Sequence, residues 1–250
     1  MADARRTALV TGAGRNIGRA CVLGLAADGF DVVINGSSDR AACETVAQEA
    51  GKLGAKTLVV MGDVGNAEDC KRIAGEALKQ FGAVDVLINN AAVRPGGAFL
   101  DMSEADWQRV LAVDLEASVR LSRLCLPGML DKGWGRIVNF TGMNAIAGHG
   151  GRAAVSVAKH GVWGLTKALA KEFGPKGITV NAISPGPIAP DDAAQKNDPS
   201  GAHRRELVAK VPVGRMGAPV EVAAAARLLA SDAGAYINGQ MIQVNGGAET

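Results

Sequence analysis

The sequence predicts an α/β fold: a single doubly wound parallel sheet of seven strands covered by helices on both faces, a three-layer α/β/α sandwich. Three observations carry this. Short apolar, β-leaning runs recur along the chain and alternate with helix-like segments. The runs are apolar nearly throughout, as strands buried on both faces must be, rather than alternating with polar residues. The chain also holds 33 glycines, many of them at the junctions between apolar runs.

The elements follow in order. A first strand, Thr7–Thr11, ends in Gly12-Ala13-Gly14-Arg15-Asn16-Ile17-Gly18, and a helix runs from there to about Asp28. Strand, Gly-rich turn and helix form the first half of a dinucleotide-binding unit, because the backbone must approach a pyrophosphate closely and the helix N-terminus offers it free N–H groups. Strand two is Asp31–Asn35, followed by Gly36-Ser37-Ser38 and a helix from Asp39 to Leu53. Strand three is Lys56–Val60, with Gly62-Asp63-Val64 at its end and a helix over Ala67–Phe81. Strand four, Val84–Ile88, ends in Asn89-Asn90-Ala91-Ala92, and apolar spacing predicts one continuous helix over Asp106–Asp131. Strand five is Arg136–Thr141, and a long helix spans Arg152–Gly174. Strand six is Ile178–Ile183, broken by Pro185-Gly186-Pro187. The polar stretch Ala189–His203 is the least regular part of the chain and has the character of a lid. A last helix starts at Pro219, where proline suits a first helical position, and Gln240–Val244 is the final strand. No linker or repeat divides the chain, so residues 1–250 read as one domain.

Composition narrows the function. A net charge of +2 gives no electrostatic case for nucleic acid or an anionic membrane surface. No apolar run reaches the ~18 residues of a spanning helix, and the N-terminus has no apolar signal region, so a cytoplasmic location is expected. Cys21, Cys43, Cys70 and Cys125 form no Cys-x-x-Cys pair and are expected to be reduced thiols packed as small apolar residues. No His/Asp/Glu cluster has the spacing of metal ligands, so no metal is expected. The only tyrosine is Tyr236.

The motifs, taken together, resemble the short-chain dehydrogenase/reductase family, in its 3-oxoacyl-(acyl carrier protein) reductase-like branch. Thr11–Gly18 is similar to that family's Thr-Gly-x-x-x-Gly-x-Gly, with Asn16 at the middle glycine. Asp63-Val64 resembles the pair that contacts adenine, Asn89-Asn90-Ala91-Ala92 the motif after strand four, and Pro185-Gly186-Pro187-Ile188 the turn beside the nicotinamide amide. Gly239-Gln240 through Val244–Gly247 resembles the family's ending. The resemblance implies a Rossmann-type fold, a nicotinamide dinucleotide, a small-molecule substrate and a homotetramer. No carboxylate follows strand two until Asp39, while Arg15 and Arg40 offer guanidinium groups suited to a 2′-phosphate. NADP(H) is therefore expected, with NAD(H) as the alternative.

In that family a Tyr, a Lys, a Ser and an Asn work together on a carbonyl. By position the Lys is Lys159, but the Tyr site is Val155, the Ser site Gly142 and the Asn site Asp114. Valine cannot donate a proton, and losing a positioned acid typically costs ~10²–10⁴ in rate. Lys159 then reads as a ribose and nicotinamide anchor, with Asp114 as a candidate ion-pair partner. Arg94, Asn144 and His149 are the candidates to face a substrate; Ser156 and Thr141 are weaker substitutes for the missing hydroxyls. Three functions follow: an oxidoreductase acting on a carbonyl or enone by an atypical proton route, a silent nucleotide-binding sensor or partner subunit, or a repurposed lyase or isomerase.

Overall fold

The computed structural model describes residues 5–189 and 202–249. It contains one seven-stranded sheet in the order β3-β2-β1-β4-β5-β6-β7, and every pairing is parallel. The strands are β1 (Thr7–Val10), β2 (Asp31–Gly36), β3 (Thr57–Met61), β4 (Val86–Asn89), β5 (Gly135–Phe140), β6 (Ile178–Pro185) and β7 (Met241–Val244). Between them run α1 (Asn16–Ala27), α2 (Arg40–Lys52), α3 (Ala67–Phe81), α4 (Glu104–Leu111), α5 (Ala117–Lys132), α6 (Ala153–Phe173), α7 (Ala202–Ala209) and α8 (Pro219–Ala230).

Two apolar layers sandwich the sheet. On one face Cys21, Leu25, Val46, Val222, Ala226 and Leu229 of α1, α2 and α8 pack on Ala8, Val10, Val32 and Ile34. On the other, Ile73, Leu121, Cys125 and Met129 of α3 and α5 pack on Leu9, Leu87, Ile137 and Val180. Alternate residues of each strand feed opposite layers, which is why β1 is buried along its whole length. All four cysteines are buried and unbridged, as expected. Burial pushes the thiols of Cys21 and Cys125 up to about 12 and that of Cys70 to about 11.

The strand order places the site. The chain runs outward from β1 to β3, then returns to the other side of β1 with β4. The crevice at such a reversal, beyond the carboxyl ends of β1 and β4, is where ligands bind in open α/β sheets.

The predicted continuous helix over Asp106–Asp131 is present as an unbroken helix from Glu104 to Lys132, with a π-helical segment, Ala112–Glu116, inside it between α4 and α5. Its wider turn inserts an extra residue, and such insertions recur at functional sites. Of the stretch Ala189–His203, residues 190–201 lie outside the described part, and the end expected to be irregular already belongs to α7. Among the described residues, no helix is long and apolar enough to cross a membrane, and no group of His, Cys, Asp or Glu could hold a metal ion.

Candidate functional site

A cleft of about 520 Å³ opens at the reversal point, lined by the Gly12–Gly18 turn, Ser37, Ser38, Asp63, Val64, Asn90–Arg94, Ile188 and Ala189 among others. Its floor is a backbone latch. Thr11 Oγ1 accepts from the N–H groups of Asn90 and Ala91 (both 3.0 Å), while Asn90 Nδ2 donates to the carbonyls of Thr11 (2.8 Å) and Gly12 (3.0 Å). β1 and β4 are thereby joined just beyond their last ladder bonds.

The close approach requires glycine at specific places. A Cβ on Gly18 would lie 2.2 Å from the Gly12 carbonyl oxygen and 2.7 Å from Asn90 Nδ2. Asn16, which stands where the resemblance places a glycine, has φ +50°, the only positive φ at a non-glycine among the described residues. Asparagine is among the few residues that enter this left-handed region readily, so the glycine-type path is kept. α1 then begins with Arg15 as N-cap, with no side-chain cap and no acid in its first turn. Uncapped N–H groups, no carboxylate and a wall that excludes even a methyl group fit a bound dinucleotide phosphate.

The second-strand end differs from expectation. Ser37 and Ser38 line the cleft. Arg40 does not: it extends along its own helix to Glu44 at 3.5 Å, the ordinary i,i+4 partner. Asp39 is on the lining instead, with its carboxylate accepting the Ala42 N–H at 2.9 Å as the cap of α2. Arg109, which the sequence reading missed, also lines the cleft and bonds Asp63 at 2.6 Å. The other Asp63 oxygen accepts from the Gly65 N–H (2.9 Å). No periodicity or motif marks Arg109; it is brought there by the turn of α4.

Asp114 and Lys159 meet. Lys159 Nζ is 3.2 Å from Asp114 Oδ2 and donates to the Phe140 carbonyl at 3.0 Å. Both side chains are buried, 5% and 0% exposed. Asp114 sits on the π-helical segment, and its Oδ1 accepts the Val93 N–H at 2.8 Å, so the carboxylate also pins the loop after β4. Burial lowers the pKa of Lys159; the Asp114 charge opposes that and the Arg94 charge adds to it.

Gly142 and Val155, which the sequence resemblance aligns with the family's two hydroxyl positions, differ in kind. Gly142 has φ +76° and ψ 171°, and a Cβ there would meet nothing within 4 Å. Val155 is 1% exposed and packs in a small cluster with Val110, Ala154 and Ala158, flanked by Val93, Met102 and Trp107. Neither residue lines the cleft, and neither does the buried Lys159, whose ion-pair partner Asp114 holds the loop after β4.

The other candidates separate. Arg94 is exposed on the cleft wall. His149 is exposed, with Nδ1 2.6 Å from the Gly150 carbonyl, and does not join the pair. The side chain of Asn144 lies outside the described residues. Thr141 is buried and spends its hydroxyl on the Ile183 carbonyl (3.2 Å). Ser156 Oγ is a buried oxygen without a partner among the described residues. Beyond Pro185, the Gly186 N–H bonds the Val244 carbonyl at 3.0 Å. A Cβ on Gly186 would lie 2.6 Å from Asn245 Cα, so the turn that delivers Ile188 to the cleft also needs glycine.

A family model described as "Enoyl-(Acyl carrier protein) reductase" matches residues 12–249. Nodulation protein G of Azospirillum brasilense is 38% identical over 245 residues, 97% of this chain and 98% of its own. The 3-oxoacyl-[acyl-carrier-protein] reductase FabG of Staphylococcus epidermidis is 37% identical over 244 residues, covering 97% and 98%. A crystal structure assigned as an NAD(P)-dependent gluconate 5-dehydrogenase from Beutenbergia cavernae, with NADP at low occupancy, superposes with a TM-score of 0.90 at 37% identity. It covers 98% of this chain and 97% of that one.

Proposed function

The chain belongs to the short-chain dehydrogenase/reductase family, and from that premise we propose that it binds NADP(H), with NAD(H) as the weaker ligand, and acts as an oxidoreductase with a non-standard active site. The observation that carries the reading is a contrast between two parts of the molecule. The Gly-rich turn that lines the cleft keeps a left-handed Asn16 and an uncapped α1, whereas Val155 and Gly142, which the resemblance aligns with the family's hydroxyl positions, carry no hydroxyl.

In this reading Gly12, Gly14, Arg15, Asn16, Ile17 and Gly18 hold the pyrophosphate against the N-terminus of α1. Ser37, Ser38 and Arg15 take the adenosine ribose and its phosphate, and Asp63 and Val64 border the adenine. Asn90, Ala91, Pro185, Gly186 and Ile188 enclose the nicotinamide end. Arg40 contributes only if it leaves Glu44, so the preference for the 2′-phosphate rests chiefly on Arg15 and the paired serines. The bound cofactor supplies the hydride.

The protein's own part is to hold the substrate and control charge. Lys159, kept charged by Asp114, presents a positive field beneath the reacting region, and Asp114 fixes the loop through Val93. With no hydroxyl at positions 142 or 155, the proton that completes reduction comes from water. This favours an enone, whose hydride adduct is a stabilised enolate that water can protonate, over a simple ketone, whose adduct is an alkoxide that needs a positioned acid. The relatives' printed activities, 3-oxoacyl reduction and gluconate oxidation, mark the substrate classes to try first. The homotetramer expected of the family is part of the same proposal, and light scattering tests it.

A second reading has its own support. Lys159 is sealed and Val155 is committed to apolar packing, which suits a protein that binds the nucleotide without turnover, as a sensor or partner subunit. Calorimetry with NADP(H) and NAD(H), then anaerobic NADPH oxidation over ketone, 3-oxoacyl and enone panels, decides. Micromolar binding with enone turnover supports the oxidoreductase, binding without any turnover supports the silent protein, and no binding removes both.

A further inference from the structure

Most arginines among the described residues have acidic partners: Arg6 and Arg136 with Asp232, Arg19 with Glu49, Arg72 with Asp69, Arg109 with Asp63, Arg215 with Glu221, and Arg227 with Asp28. Arg94 and Arg152 have none; Arg94 lines the crevice, and Arg152 is tied to its loop through the backbone of Gly97 and Gly151. Arg94 lies on the cleft wall, one residue after Val93, whose N–H is fixed by Asp114. Three residues later the Gly97 N–H donates to the Gly151 carbonyl at 3.0 Å. Arg152 follows directly as the N-cap of α6, half-buried and with no side-chain cap bond. One backbone bridge therefore joins the two loops that carry the unpaired guanidinium groups.

Half-burying a cation without a partner is unfavourable, and an exposed guanidinium held between two fixed backbone points loses little further freedom on binding. Asp114, the carboxylate beside Lys159, is already committed to Lys159 and to Val93. The nearness of Arg94 is felt at Lys159, whose ammonium it disfavours. An incoming negative group would relieve that repulsion as well as pair with the arginines. α6 adds to the same potential, having no acidic residue in its first turn.

We propose that the molecule taken into this site beside the nucleotide carries an oxyanion, a carboxylate or a phosphate, and that Arg94, with Arg152, binds it at the mouth and determines specificity. This rests on the reading of the crevice as a nucleotide and substrate site, but it is testable without turnover. It also accounts for how a pocket lacking both hydroxyls orients its substrate: the anchor is a charge at the rim, remote from the reacting carbon.

The test is calorimetric titration of the protein, with and without saturating NADP, using two probe pairs that differ in charge: levulinate against methyl levulinate, and dihydroxyacetone phosphate against dihydroxyacetone. At least one anion should bind tenfold or more tightly than its neutral partner and weaken as salt is raised. Which anion does so separates a carboxylate from a phosphate. Arg94→Gln should lose tenfold or more for that anion while leaving the neutral probe and NADP binding unchanged, and Arg94→Lys should recover part of it, a point charge replacing a two-pronged donor. Arg94→Gln/Arg152→Gln should abolish the difference between charged and neutral probes. Equal binding of each pair, no binding of any probe, or an Arg94→Gln protein that still prefers the anion would overturn the assignment. If NADP fails to bind, the nucleotide reading falls, and the titrations without nucleotide still decide the anion site.

Discussion

Replacing Asp114 by asparagine restores the residue expected at this position in the family, yet here it should be among the most damaging single changes. Asparagine keeps an oxygen to accept the Val93 N–H, now bonded at 2.8 Å. It removes the carboxylate that lies 3.2 Å from a lysine whose side chain is 5% exposed. Breaking a buried pair by deleting one partner typically costs about 3–5 kcal/mol. The lysine can escape by losing its proton, and from an unfolded pKa of about 10.4 that costs about 4.6 kcal/mol at pH 7, which caps the loss. The sign with pH follows. Burial lowers the folded pKa of Lys159, so the unfolded chain binds more protons between that lowered value and about 10.4, and stability rises with pH across that window. In Asp114→Asn the folded pKa falls further, the window widens downward, and the slope approaches about 1.4 kcal/mol per pH unit. Urea denaturation at pH 7, 8, 9 and 10 should show a loss of about 3–4 kcal/mol at pH 7 that shrinks steadily to less than about 1 kcal/mol at pH 10. Asp114→Asn/Lys159→Met should be more stable at pH 7 than Asp114→Asn. A loss under about 1 kcal/mol that does not change with pH would mean that the pair is not a charged, buried unit.

Three further outcomes are expected. Gly18→Ala forces a methyl group to within 2.2 Å of the Gly12 carbonyl and 2.7 Å of Asn90 Nδ2; fluorescence titration should find NADPH affinity lowered at least tenfold, along with a lower Tm. At Asn16, with φ +50°, valine should destabilise by about 1–2 kcal/mol more than glycine does, because a β-branched residue resists the left-handed region. Native protein at pH 8 should react negligibly with a thiol-disulfide reagent, since Cys21, Cys43, Cys70 and Cys125 are buried with raised pKa values; all of them should react in denaturant.

The sheet was legible because its strands are buried on both faces, so apolar runs such as Val32–Ile34 and Leu87–Ile88 stand out without alternation. The nucleotide crevice was legible because its chemistry is carried by backbone, and backbone demands show directly as glycines at positions 12, 14 and 18. What failed were features set by side-chain direction. Arg40 stands at the right place in the sequence for a ribose phosphate, but helical spacing gives it Glu44 as a neighbour, and Asp39 faces the cleft instead. The helix through Asp106–Asp131 is continuous as expected; only the π turn at Ala112–Glu116 within it was invisible, because it preserves apolar spacing on either side. An aspartate amid Val113 and Leu115 was the one local signal, and the sequence reading took it only as half of an ion pair.

Positions 114, 142 and 155, which the resemblance aligns with the family's Asn, Ser and Tyr, are physically linked, and the link sets the conditions for building the family's chemistry there. Val155 packs into an apolar cluster, so the Lys159 ammonium has no hydroxyl from that direction and needs a counter-charge, which Asp114 supplies at 3.2 Å. A tyrosine placed at 155 alone would enter a filled cluster at about 1–3 kcal/mol. It would also sit beside a lysine already neutralised by a carboxylate, which is poorly able to lower the phenol pKa. Serine at 142 has room, since nothing lies within 4 Å of its Cβ, but it must adopt φ +76° and ψ 171°, a region essentially reserved for glycine and costing about 1–3 kcal/mol. Val155→Tyr/Gly142→Ser should therefore fold less stably and reduce ketones no better than the parent protein. Adding Asp114→Asn frees the lysine to act on the phenol, and that triple protein is the one expected to gain ketone reductase activity. Steady-state assays of the double and triple proteins, each checked for NADP binding, decide between independence and coupling. Activity in the double protein equal to that of the triple would show that Asp114 is not what holds Lys159 out of the reaction.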